Sequence, residues 1–200
     1  MYTIKGEPMK TLFFALIILA APLACMAESW EKTQHNWNIK HKDFGLNVRH
    51  FFGNDYVHVE PSYKFGKFTA AMRFAEKDGA NEYRPKLTHK VFKWKGFSVG
   101  HRIEYRHHDG SKDSNWRYRF IGKASVPVTE KFSAFVKVQP RWEFGKGKED
   151  DLSFDDIKNQ FGLKYKHNKN LSFSPHVMYL LDDDLNKKSI MFGTALTVKF

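Results

Sequence analysis

Cationic side chains recur at alternate positions along several stretches of this chain. Arg102, Glu104 and Arg106 make one run, Arg117, Arg119 and Lys123 a second, and Lys137 and Arg141 a third; Arg84 precedes them and Lys164 follows. An arginine presents a planar fork of donors that fits a carboxylate, and a lysine presents a compact charge. Gathered along one side of a narrow passage, such groups draw anions in, because low-dielectric walls focus their field. Arg49, Lys64, Lys67, Arg73, Lys86, Lys90, Lys158, Lys166 and Lys199 fall on the same face of their stretches. The acids on that face are read as only Glu60, Glu104 and Glu143. Three acids cannot neutralise so many bases, so a conducting, anion-selective lumen is the expectation. The competing reading is a filled lumen in which Glu104 and Glu143 each brace several arginines.

Side chains at alternate positions share a face only on a β-strand. The apolar residues keep the same period on the other face. From Phe97 to His107 they are Phe97, Val99, Ile103 and Tyr105; from Trp116 they are Trp116, Tyr118, Phe120, Ala124 and Val126; from Phe132 they are Phe132, Ala134, Val136, Val138, Trp142 and Phe144. These stretches are longer than an ordinary strand, and they match the about nine to eleven residues that a tilted strand needs to cross a bilayer. Ile157–His167, Leu171–Tyr179 and a final strand to Phe200 repeat the pattern. Phe44–Phe52, Tyr56–Phe65, Phe68–Ala75 and Tyr83–Trp94 bring the number to ten, with Trp37–Lys42 a possible eleventh. Turn-rich connections separate them, among them "KFGK", "PVTEK" and "GKGKEDDLSFDD", and from "PVTEK" onward short and long ones roughly alternate.

The fold expected is all-β: a transmembrane antiparallel β-barrel of about ten strands, with twelve possible. Aromatic residues, 16% of the chain, cluster near strand ends on the apolar faces, as interfacial girdles require. The N-terminus sets the compartment. Lys10 is followed by an apolar run and then by Cys25-Met26-Ala27, which reads as a cleavage site, so residues 1–27 are a signal peptide and 28–200 the barrel. Met9 is an alternative start, and lipid attachment at Cys25 is disfavoured by Pro22. Cleavage removes the single cysteine, so no disulfide framework is expected.

A terminal phenylalanine preceded by apolar residues at alternate places, Phe192, Leu196, Val198 and Phe200, resembles the C-terminal signal by which bacterial outer-membrane barrels are recognised for assembly. Thr194 is its one weak position. The stretch "GHRIEYRHHDGSKDSNWRYRF" further resembles the small monomeric oligogalacturonate-specific porins of bacterial outer membranes. The matching residues are Arg102, Glu104, Tyr105 and Arg106, then Trp116, Arg117, Tyr118 and Arg119, then Lys199 and Phe200. That resemblance implies a monomeric barrel of twelve strands whose arginines, here Arg102, Arg106, Arg117, Arg119 and Arg141, guide acidic oligosaccharides. It covers about Gly96–Lys123 and the C-terminus.

The partners expected are outer-membrane lipid and lipopolysaccharide, acidic oligosaccharide solutes and the barrel assembly machinery. The net charge of +11 would ordinarily suggest nucleic acid, but an exported chain with its bases on strand faces excludes that. No cofactor is expected, and no metal, since His107-His108 lacks a spaced third ligand. The alternatives are a small structural or adhesin-like barrel with a plugged lumen, and a lipid-acting hydrolase built on His101, His107 and His108 with Ser111, Asp109 and Asp113. No motif frames a serine as nucleophile, so catalysis is not expected.

Overall fold

Two-residue periodicity becomes eleven β-strands that close on themselves. The structure, a computed structural model, describes residues 33–52, 56–77, 80–109, 114–145 and 152–200. The strands are β1 (Thr33–His41), β2 (Phe44–Phe52), β3 (Tyr56–Phe65), β4 (Phe68–Lys77), β5 (Ala80–Trp94), β6 (Phe97–His108), β7 (Asn115–Pro127), β8 (Phe132–Phe144), β9 (Ser153–Lys166), β10 (Leu171–Leu181) and β11 (Lys187–Lys199). Each pairs antiparallel with the next in sequence, and β1 closes the barrel by pairing parallel to β11. Closure leaves no strand edge unpaired.

The eleventh strand is β1, longer than the Trp37–Lys42 segment that the pattern suggests; twelve strands are not present among the described residues. The all-β barrel of about ten strands is as expected; with an odd number of strands one pair, β1 with β11, is parallel in an otherwise antiparallel barrel. The pattern could not reveal this, because alternation is identical in parallel and antiparallel strands.

One rim carries the connections at 42–43, 66–67, 95–96, 128–131 and 167–170, together with the C-terminus. At the other rim β6 ends and β7 begins, and β8 ends and β9 begins, with longer separations in sequence. The two are termed the short-turn and long-loop rims. At the 95–96 turn both residues have positive φ, Lys95 at 38° and Gly96 at 89°. That is the hairpin geometry whose twist matches the flanking strands.

Polarity is inverted relative to a water-soluble barrel. Among the described residues the only buried apolar side chains are Ala75, Met178 and Ile190, whereas Glu104, Asp156, Arg84, Lys86, Arg117 and Arg119 are all buried. Large apolar groups stand outside, as Trp94 at 57% and Phe44 at 64% exposure show. Outside, aromatic rings gather in two bands. Toward the short-turn rim Phe44 meets Tyr63 at 4.8 Å and Phe132 meets Tyr165 at 4.9 Å. Toward the long-loop rim Tyr105 meets Trp116 at 4.9 Å and Trp142 meets Phe154 at 5.7 Å. Aliphatic residues such as Leu87, Ile103 and Val138 lie between the bands.

Candidate functional site: the barrel interior

Directly opposed residues on paired strands share a face, so the register sorts every side chain. Arg102 lies opposite Arg119, Glu104 opposite Arg117, and Arg106 opposite Asn115. Across the next seam Arg119 meets Arg141 and Lys123 meets Lys137, and beyond it Ser133 meets Lys164. Arg84 sits opposite Arg73. All ten residues singled out as lumen-lining therefore occupy one face, the interior.

That interior is divided into two unlike halves. From the middle toward the long-loop rim it is cross-braced by ion pairs. Glu104 takes Arg84 at 3.2 Å, Arg119 at 2.8 Å and Arg102 at 3.9 Å. Glu60 takes Lys86 at 2.6 Å and Arg73 at 2.8 Å. Arg106 spans Glu82 at 3.3 Å and Glu143 at 3.2 Å, while Arg117 joins Glu143 to Asp155. Arg141 ends the chain on Asp155 and Asp156. Phe51, Tyr56 and His58 fill the β2–β3 side, with Phe51 and Tyr56 at 5.0 Å, and Met178 lies opposite Met191 on the β10–β11 side.

Three of these carboxylates escaped the sequence reading. Glu82 belongs to β5, which begins at Ala80 rather than at Tyr83. Asp155 and Asp156 belong to β9, which begins at Ser153, inside the stretch read as the connection "GKGKEDDLSFDD". A register shift between Arg141 and Trp142 breaks the alternation at that point, and no two-residue pattern survives a bulge. Strong turn formers hid these acids. The expected shortage of acids thus holds for only one half of the lumen.

Toward the short-turn rim the interior carries Lys40, Lys90, Lys123 and Lys199, all exposed, with Lys164 partly so. Lys40 lies opposite Lys199 across the parallel seam, and Lys123 rests over the inward ring of Phe135 at 5.2 Å. Among the described residues no inward carboxylate occurs on this side of Glu60.

Outside the lumen, Phe192, Leu196 and Val198 occupy the outer face of β11. Thr194 does too, and its hydroxyl is bonded to His35 Nδ1 at 2.7 Å across the parallel seam, which accounts for a polar residue there. Of the hydrolase constellation, Ser111 and Asp113 lie outside the described residues. His107 Nδ1 instead bonds Ser114 Oγ at 3.0 Å, with Asp109 3.7 Å from its other nitrogen. His107 and Asp109 are about half exposed, with water able to compete for both contacts, and among the described residues no buried acid is paired with the ring. His101 sits on the outer face against His89 at 3.1 Å, paired with it across the β5–β6 seam. No cluster of three possible metal ligands occurs among the described residues.

A family model described as a protein of unknown function, DUF2490, matches residues 28–190. The chain belongs to this family. The match takes in β1 to β10 and the first residues of β11. No curated protein matches the chain.

Proposed function

We propose that this DUF2490 member is a bacterial outer-membrane barrel whose basic lumen admits acidic solutes, with acidic oligosaccharides such as oligogalacturonate as the class. The inverted polarity carries the reading: charged groups inside, and an apolar outer surface bounded by two aromatic bands. Such a surface is costly in water and favourable in lipid. The surplus of cations in the short-turn half supports anion selectivity, and the resemblance of Gly96–Lys123 to oligogalacturonate porins supports the solute class. Export by a cleaved signal peptide and assembly through the C-terminal strand belong to the same proposal. No side chain is assigned a catalytic role in it.

One observation favours a second reading. The ion-pair lattice from Glu60 to Asp156 spans the long-loop half of the lumen, and a lattice that stays closed gives a structural barrel that conducts nothing. Single-channel recording of the refolded mature protein in a planar bilayer separates the two. The passage reading expects anion-selective reversal potentials in a salt gradient. It also expects current blocked by galacturonate oligomers and unaffected by neutral oligomers of equal length. A folded protein that carries no current overturns passage and leaves the braced barrel.

A further inference from the structure

Lys137 and Lys158 stand mid-way along the lumen, where Lys137 lies opposite Gln160 and Lys158 opposite Gln139 and Leu180. Among the described residues neither makes an ion pair or hydrogen bond with a carboxylate, although both keep partial contact with solvent. The charges that act on Lys158 include Arg49, Arg119, Lys137 and Arg141, and those on Lys137 include Arg102, Arg119, Lys123 and Arg49. Arg49 faces the same lumen from β2, on the wall across from β8 and β9. Its Nε donates to Asn36 Oδ1, and its terminal nitrogens make no hydrogen bond among the described residues. His176, buried on β10, borders the same space.

Like charges enclosed by protein and denied a counter-charge are unfavourable, and an anion placed among them removes the penalty. On the long-loop side that role is filled by Glu104, Asp155 and Asp156. On the short-turn side no inward carboxylate among the described residues fills it. The cation column then continues through Lys123 and Lys164 to Lys40 at the exposed rim, where their charges still act on one another. One small anion would answer the cluster at Lys137 and Lys158 but would leave the column uncompensated.

We propose that the short-turn half of the lumen is a binding site for a multivalent anion, a chain bearing phosphate or carboxylate groups, seated with one end between Lys137, Lys158 and Arg49. This goes beyond the passage reading, because it requires only that the lumen be open at the short-turn rim. It holds for a barrel that conducts and for one that does not.

The test is calorimetric titration of the full mature chain, refolded in detergent micelles, with tripolyphosphate, with trigalacturonate and with neutral maltotriose. Tripolyphosphate or trigalacturonate should bind with one-to-one stoichiometry and maltotriose should not; the tighter of the two anions identifies the source of the charge. Lys137→Gln with Lys158→Gln should weaken binding by at least about tenfold. The same variant, relieved of repulsion, should resist heat unfolding without ligand at least as well as the parent, read from heat-modified gel migration. Lys131→Gln, in a short turn outside the lumen, should leave binding unchanged. Should the double variant fail to fold, Lys158→Gln alone carries the comparison. A folded barrel that binds neither anion overturns the site, as does one whose affinity is unchanged in the lysine variant. Binding without current sinks passage alone, and current without binding sinks the site alone.

Discussion

Glu104 has no exposed surface and serves three arginines, Arg84, Arg102 and Arg119. Its removal would leave those three cations facing one another, so the loss exceeds that of a single contact. Glu104→Gln is expected to destabilise the folded barrel by about 3–5 kcal/mol, the usual cost of breaking a buried pair. Urea unfolding followed by tryptophan fluorescence measures it. Asp109→Asn, which removes the exposed partner of His107, should change stability by less than about 1 kcal/mol. An equal effect from both variants would mean that the interior lattice is as solvated as the surface. The arginines of this lattice were legible in the sequence, because Arg102, Arg106, Arg117 and Arg119 keep strict alternation with apolar neighbours. Asp155 and Asp156 were not legible, since adjacent acids beside a bulge look like loop. Nor could the sequence reveal that the acids gather in one half and the free lysines in the other, which depends on strand stagger.

At the scale of strands, β9, β10 and β11 meet over one imidazole. His176 lies opposite Gly162 on one side and Gly193 on the other. A methyl group at Gly193 would overlap the His176 ring, whose atoms are its three nearest neighbours. At Gly162 it would also meet the Pro175 carbonyl oxygen at 2.5 Å. Gly193→Ala and Gly162→Ala should therefore each cost about 1–3 kcal/mol as overpacked sites. Adding His176→Ala should restore most of the first loss and little of the second, read from the same unfolding midpoints. Rescue of both, or of neither, would contradict the described packing. Element boundaries were readable where turn residues punctuate the pattern: the ranges of β2 and β3 coincide with the expected Phe44–Phe52 and Tyr56–Phe65. They were not readable at β1, whose outward face of Thr33, His35, Trp37 and Ile39 is only half apolar.

For the whole molecule the deciding feature is the parallel seam between β1 and β11. It places the start of β1 toward the long-loop rim, next to the end of β2, while β11 ends at the short-turn rim. If the barrel sits in the outer membrane with its short turns inward, an epitope inserted ahead of Thr33 should be stained on intact cells. One inserted at 167–170 should be stained only after permeabilisation. Staining of both under the same condition would overturn the parallel closure or the membrane orientation. The seam also bears on assembly. Five hairpins, β2–β3 through β10–β11, supply ten strands that can enter in pairs, each with its connection leading the way. β1 belongs to none of them. In a barrel assembled that way within a bilayer, β1 would be drawn lengthwise through it as a single stave, and until it arrived the wall would stand open between β2 and β11.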